Sequence, residues 1–322
     1  MNYLNKNTKI FLAGHKGMVG SAIFRNMESR GFSNILTADR GLLDLTHPEQ
    51  VFDFFKSVQP EVVFIAAAKV GGIKANNENP SDFILENLKI QNNLIEASFR
   101  THVKRLLFLG SSCIYPKNAN QPIKEEYLLT GPLEKTNRAY AIAKIAGIEL
   151  CSSYNRQFGS QFVCAMPTNL YGIGDNYHSH NSHVIPGLLR RIHEAKAKNN
   201  DEVIIWGSGQ PKREFLFSED LAEALLFIMN LKDNDFGSLA SNSFPIINIG
   251  SGFDLSIKDL AIRICNILNY KGRLNFDLSF PDGTPRKLID SSNINKLGWE
   301  AKTDLNDGLL MAYSDFLKSS RV

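Results

Sequence analysis

Three observations predict an α/β fold built on a doubly wound parallel sheet, followed by a smaller mixed C-terminal region. Over residues 1–171, strand-sized apolar runs alternate with stretches of helical periodicity, the pattern of a parallel sheet covered by helices on both faces. The first run, residues 9–13, passes directly into Gly14-His15-Lys16-Gly17-Met18-Val19-Gly20, and a helical pattern follows over 21–30. From about Gly172 the alternation fades, so residues 172–322 read as a second unit, with segments near 215–249 returning to the first.

Glycines between a buried strand and a helix make the turn that a dinucleotide needs. The backbone can approach a pyrophosphate there, and the helix start offers amide hydrogens and the positive end of its dipole. Gly14, Lys16, Gly17, Met18, Val19 and Gly20 are therefore the candidate phosphate cradle of a Rossmann-type sheet. A tight turn is the plain alternative, and the strand before and helix after favour the nucleotide. A second strand over 34–38 ends at Asp39-Arg40, where such sheets meet the adenosine ribose. A carboxylate there suits NAD and an arginine suits the 2′-phosphate of NADP. The two stand side by side; Arg40, with Lys16 near it, favours NADP(H).

Asp44-Leu45-Thr46-His47-Pro48 reads as the entry to a helix ending near residue 57. The buried strand over 61–68 finishes in small residues, of which Ala66 and Ala67 permit close packing against a cofactor, or equally against the sheet. A long helix over 80–100 carries Asn87, and the strand over 104–110 ends in Ser111-Ser112-Cys113-Ile114-Tyr115-Pro116. Residues 117–137 are a polar connection to a helix over 140–158. The strand over 162–165 then leads into Met166-Pro167-Thr168-Asn169-Leu170-Tyr171-Gly172. Beyond it come a loop holding His178, His180 and His183, a helix through Arg190 and Arg191, and a strand with its turn over 203–209. A helix over 221–230, a strand over 246–249, a helix over 256–268 and the turn Asp282-Gly283-Thr284-Pro285-Arg286-Lys287 precede a mainly helical tail.

Composition narrows the class. At 322 residues, 43% hydrophobic and 21% charged, the chain can bury a sizeable core as an ordinary globular protein. A net charge of +3 is too slight to argue for nucleic acid or a membrane surface, though it allows a local basic pocket. The four cysteines are scattered without metal-like pairing, so no metal is expected and a reducing compartment is the default. The apolar run at 10–13 is strand-sized and no stretch has the length of a membrane span, which makes cytoplasm the expected location.

The chemistry centres on Tyr140 and Lys144. Four residues apart on a helix, their side chains leave one face about one turn from each other. A neighbouring ammonium favours the ionised phenol, pulling it down from its ordinary value near ~10. A phenol so placed can give or take a proton at a carbonyl or alcohol, and Ser111 at a strand end can hydrogen-bond the same oxygen. The spacing alone is common on helices; the glycine loop at the front of the chain gives it meaning. By composition alone Cys113 reads as a small buried hydrophobe, His183 as a loop residue or one of a histidine trio, and Arg191 as a solvated helix face.

The chain resembles the extended short-chain dehydrogenase/reductases that act on nucleotide sugars. It is most similar to their 3,5-epimerase/4-reductases, which turn GDP-4-keto-6-deoxy-D-mannose into GDP-L-fucose. Relatives of these work on other GDP-4-keto sugars, 6-deoxy-heptoses and colitose precursors, and an NAD-dependent nucleotide-sugar 4-epimerase or dehydratase is the further alternative. Besides the glycine loop, the blocks that carry the resemblance are Ala66-Ala67-Ala68-Lys69-Val70-Gly71-Gly72-Ile73, Gly110-Ser111-Ser112-Cys113-Ile114-Tyr115-Pro116 and Tyr140-Ala141-Ile142-Ala143-Lys144-Ile145-Ala146-Gly147. Pro167-Thr168-Asn169-Leu170-Tyr171-Gly172, Asn181-Ser182-His183-Val184-Ile185-Pro186 and Asp282-Gly283-Thr284-Pro285-Arg286-Lys287 complete them. The resemblance implies that Cys113 and His183 exchange protons at C3 and C5, while Ser111, Tyr140 and Lys144 serve reduction at C4 by NADPH. It also implies that Pro167, Asn169 and His183 lie beside the cofactor. Ser112, Asn169, Arg191, Trp206, Arg213 and Lys287 would meet the GDP-sugar, and the helices over 80–100 and 140–158 would form a homodimer.

Overall fold

The computed structural model describes residues 3–179, 182–280 and 282–319, the side chains of Ile73 and Lys74 aside. The chain opens with β1 (Ile10–Ala13), α1 (Met18–Ser29), β2 (Ile35–Leu36), α2 (Pro48–Val58) and β3 (Val62–Ile65). It continues through α3 (Ile73–Glu78), α4 (Pro80–Arg100), β4 (Arg105–Leu109), α5 (Arg138–Phe158), β5 (Phe162–Pro167) and β6 (Asn169–Tyr171). Next come α6 (Val184–Ala197), β7 (Glu202–Trp206), β8 (Lys212–Phe217), α7 (Ser218–Met229), α8 (Asp233–Ala240) and β9 (Ile246–Ile249). The last elements are β10 (Asp254–Ser256), α9 (Ile257–Leu268), β11 (Arg273–Asp277), β12 (Arg286–Lys287), α10 (Ser292–Leu297) and α11 (Leu305–Ser319).

Six strands form one parallel sheet in the order β2-β1-β3-β4-β5-β9. Neighbouring residues along a strand point to opposite faces, and the core divides accordingly. Ile10 and Leu12 join the cluster under α1 and α7, whereas Phe11 and Ala13 join the one under α2, α4 and α5. Strands buried on both faces read as unbroken apolar runs, which is why β1 and β3 are plain in the sequence. The edge strand β2 is paired only to β1 and half-buried, and it covers two residues rather than the expected 34–38. The order reverses across β1 and β3, and ligands of open parallel sheets bind beside such a reversal at the strands' carboxyl ends.

The remaining strands make a second layer. β8 pairs with β10, β12 and β6, and β11 pairs with β7. β6 follows β5 after the single residue Thr168, so the chain leaves the large sheet and enters the small one within one step. A third core cluster joins α6, α9 and α11 to this layer. α7 and β9 lie with the large sheet, α7 against α1 and β9 along β5. Among the described residues no helix is long and apolar enough to cross a membrane.

Candidate active site

The glycine loop is shaped by its own packing at two positions and by nothing in the protein at the third. Gly14 has a φ of +90°, and a Cβ there would come within 2.6 Å of the Ala67 nitrogen and 2.8 Å of the Ala66 carbonyl carbon. A Cβ on Gly20 would collide with the Gly14 carbonyl. These glycines let the loop lie on the end of β3 and let α1 pack onto the loop. At Gly17 a Cβ would meet only the Gly14 oxygen, at an ordinary 3.5 Å. Gly17 is also the N-cap of α1 and caps it with no side chain. An uncapped helix start beside an open glycine fits an anion such as a pyrophosphate, so the residues present suit a dinucleotide.

At the ribose end the two neighbouring charges separate. Asp39 is paired with Lys16 at 2.8 Å and His15 at 3.2 Å, and the Lys16 hydrogen bond is the main cause holding its carboxyl below the usual range. Arg40 is 75% exposed and only loosely paired, 3.7 Å from Glu86 and 4.0 Å from Asp44. The acid is thus occupied by the glycine loop, and the arginine faces outward with its donors largely available.

At the other end of the cleft β4 stops at Leu109, and Ser111 begins a short 3₁₀ turn over Ser112–Ile114. The Ser111 hydroxyl accepts a hydrogen bond from the Cys113 amide at 3.3 Å, which aims the serine and the thiol from one turn. Tyr115 closes it, its hydroxyl donating to Asn248 on β9 at 2.6 Å. α5 crosses behind with Tyr140 and Lys144. Lys144 is 3% exposed; its ammonium donates to the Leu109 carbonyl at 2.8 Å and lies 5.7 Å from the centre of the Tyr140 ring. Burial lowers this lysine to about 7. The expectation that Lys144 pulls the phenol down is corrected here: burial, then the nearby Cys113 charge, push Tyr140 up, and only a hydrogen bond with Ser111 opposes them. In a site this enclosed, loss of hydration outweighs a cation turned towards a carbonyl.

Three cations stand over the thiol and beyond it. Lys287 and Arg213 are partners in the β12–β8 ladder, and Lys287 donates to the Cys113 sulfur at 3.6 Å. Arg213, lowered chiefly by burial, lies in the field of both Cys113 and Asp282. Asp282 accepts bonds from the Ser208 amide at 3.0 Å and its hydroxyl at 2.6 Å, beside Trp206. On α6, Arg191 stands 5.2 Å over the Trp206 ring and donates to carbonyls of Gly187 and Ile204, at 3.2 and 2.9 Å. His183 is the N-cap of α6; the residue is exposed, yet the protein around its ring lowers the imidazole. Such half-sheltered cations suit a diphosphate.

Placement departs from expectation at a few positions. Ser112 is only 4% exposed within the turn. The side-chain amide of Asn169 donates to the Glu214 carbonyl at 2.8 Å. Pro167 ends β5 beside it. His180 and Asn181 lie outside the described residues, and among those described no cluster of His, Cys, Asp or Glu could hold a metal ion. Other residues belong here that the sequence alone did not single out. Phe280 stacks on Trp206 with ring centres 4.7 Å apart and planes 11° off parallel. Fully buried Glu214 accepts from the amides of Gly252 and Ile289 at 2.8 and 3.0 Å, fixing β12 to β8. Asn137 donates to the Cys113 sulfur at 3.3 Å. Asn137 alone left a signal, a good N-cap residue one turn before Tyr140.

The chain matches the model of the NAD dependent epimerase/dehydratase family over residues 10–250. It is 52% identical to the putative GDP-L-fucose synthase 2 of Arabidopsis thaliana, over 98% of this chain and 94% of that one. It is 51% identical to GDP-L-fucose synthase of Escherichia coli K12, over 97% of each. A solved GDP-D-glycero-L-gluco-heptose synthase from Campylobacter jejuni, crystallised in the presence of NADPH, superposes with a TM-score of 0.90 at 38% identity, covering 98% of this chain and 100% of that one.

Proposed function

The chain belongs to the NAD dependent epimerase/dehydratase family, and from that premise we propose an NADPH-dependent 3,5-epimerase/4-reductase that converts GDP-4-keto-6-deoxy-D-mannose to GDP-L-fucose. The observation that carries it is the convergence of Ser111, Cys113 and Tyr140 on one turn-and-helix corner, with Lys287 reaching the same sulfur. A thiol at that corner gives a 3,5-epimerase the group it needs to take a proton from carbon.

The C4 ketone acidifies the hydrogens on C3 and C5. Cys113 takes a proton and His183 returns one from the opposite face at each centre, and Ser111 holds the oxygen on which enolate charge gathers. A dinucleotide held in the glycine loop would supply the hydride for C4 once both centres are inverted. Tyr140 then protonates the oxygen, and its raised value keeps that proton available at neutral pH. Lys144 stands behind Tyr140, placed for the nicotinamide ribose. Gly14, Lys16, Gly17, Met18, Val19, Gly20, Ala66 and Ala67 hold the pyrophosphate side, and Arg40 takes the 2′-phosphate. Arg191, Arg213 and Lys287 meet the GDP diphosphate, with Trp206 beside the base.

We assign residues 1–171, with the return near 215–249, to the cofactor and 172–322 to the sugar nucleotide. A cytoplasmic homodimer belongs to the same proposal. Leu85 on α4 and Ile142 on α5 are 55% and 41% exposed, apolar surface on the two helices that a second copy would cover. Cys113→Ser tests the chemistry: NADPH binding stays as in the wild type while solvent deuterium no longer enters C3 and C5. Normal exchange in that variant removes Cys113 from the mechanism.

A further inference from the structure

Beside Cys113 stands one side chain whose local chemistry makes no sense as mere helix packing. Asn137 is the N-cap of α5, a position where asparagine ordinarily turns its side chain back onto the first helical amides. Here it makes no such cap. Its amide nitrogen donates instead to the Cys113 sulfur at 3.3 Å, and its Oδ1 is buried without a hydrogen-bond partner. A buried amide oxygen left unpaired is uncommon and points to a missing donor.

The residue is also held rigidly. Glu134 accepts hydrogen bonds from the amides of Thr136 and Asn137, at 2.8 and 3.3 Å, and from the Thr136 hydroxyl. The Asn137 carbonyl accepts from the Ala141 amide at 3.0 Å, starting the helical turn that carries Tyr140. The carboxamide is thus fixed to the frame that places the phenol, with one end on the thiol and the other unspent.

We propose that Asn137 is a positioning and sugar-binding residue of the epimerisation step: its Nδ2 holds the Cys113 sulfur in line, and its Oδ1 accepts a hydrogen bond from a ring hydroxyl of the 4-keto sugar. One carboxamide then sets the distance between the ring and the group that takes its proton. An amide suits this place because it supports a thiolate without offering a proton of its own, so the proton on sulfur after abstraction is the one from carbon. Lys287 is the second donor to the same sulfur. The proposal rests on the 3,5-epimerase assignment and adds to it a residue that acts in exchange and not in hydride transfer.

The test uses the full chain, Asn137→Ala and Asn137→Asp. Iodoacetamide labelling at pH 7 reads the thiol directly, because the other three cysteines are buried and the thiolate is the reacting form. Loss of one hydrogen bond to a charged sulfur is expected to slow labelling of Cys113 in Asn137→Ala about tenfold. Asn137→Asp, which sets a negative charge beside the sulfur, slows it further. Deuterium exchange falls in both variants. KM for the 4-keto sugar rises in Asn137→Ala and stays within about twofold of wild type in Asn137→Asp, which keeps the acceptor. Hydride transfer to an already inverted 4-keto sugar continues in both.

Labelling and exchange at wild-type rates in both variants overturn the proposal. So does a parallel loss of exchange and hydride transfer with a lowered melting temperature, which marks a structural cap. If the wild-type enzyme itself exchanges no deuterium, the epimerase assignment fails; if it does and Asn137→Ala matches it, only the role of Asn137 fails.

Discussion

Gly17→Ala separates a glycine kept for a ligand from glycines kept for the fold. At Gly17 a methyl meets a single oxygen at 3.5 Å, and the backbone φ of −74° suits alanine. Replacing an N-cap glycine by alanine costs the helix roughly 0.5–1.5 kcal/mol, while the stiffer unfolded chain returns about 0.4–1 kcal/mol. Net stability therefore changes by less than about 1 kcal/mol, a melting shift of about 2–4 °C at most. Binding should change far more. A methyl standing between the backbone and a phosphate forfeits a hydrogen bond to charge, about 1.5–3 kcal/mol, or a Kd for NADPH raised roughly 10- to 150-fold. Gly20→Ala is the control, since its methyl runs into the Gly14 carbonyl and the fold itself must shift. Thermal unfolding and fluorescence titration with NADPH give both readouts. Wild-type affinity in Gly17→Ala, or unfolding like that of Gly20→Ala, refutes the phosphate cradle.

Arg40→Ala should weaken NADPH about 10- to 100-fold and leave NADH nearly unchanged, the effect shrinking with salt; equal loss of both cofactors removes Arg40 from the 2′-phosphate. Tyr140→Phe should abolish NADPH oxidation while deuterium exchange persists, because the ketone's acidity does not need the phenol; loss of both assigns Tyr140 to enolisation as well. Lys144 falls from ~10.4 in the unfolded chain to about 7 when folded. The unfolded state then binds the extra proton between those values, and stability should climb with pH there by up to about 1.4 kcal/mol per unit. In Lys144→Met that climb is missing from the denaturation curves, and parallel curves contradict it.

The large sheet was legible because burial on both faces leaves unbroken apolar runs, as at Ile10–Ala13 and Val62–Ile65. β2 was read too long because an edge strand with one neighbour is shaped by that neighbour more than by its own residues. α8 went unread: among the polar Asp233-Asn234-Asp235 and Gly237-Ser238, only Phe236 and Ala240 are buried, too few to show a helical period. In the site, Tyr140 and Lys144 follow from spacing on one helix, and Ser111 from a strand end. Cys113 and His183 share no pattern with each other, so only the resemblance paired them. Asn137, Glu214 and Phe280 act through partners far along the chain: a sulfur 24 residues earlier for Asn137, backbone amides for Glu214 and an indole for Phe280. The direction of the Tyr140 shift was misread because spacing shows a neighbouring charge but not the depth of burial.

Incubation of the wild-type enzyme with GDP-4-keto-6-deoxy-D-mannose and NADPH in deuterium oxide, followed by NMR of the sugar nucleotide, reaches the centre of the account. GDP-L-fucose carrying deuterium at C3 and C5, with one NADPH oxidised per molecule formed, is the predicted result. A reduced sugar that keeps the D configuration and carries protium at both carbons would contradict it.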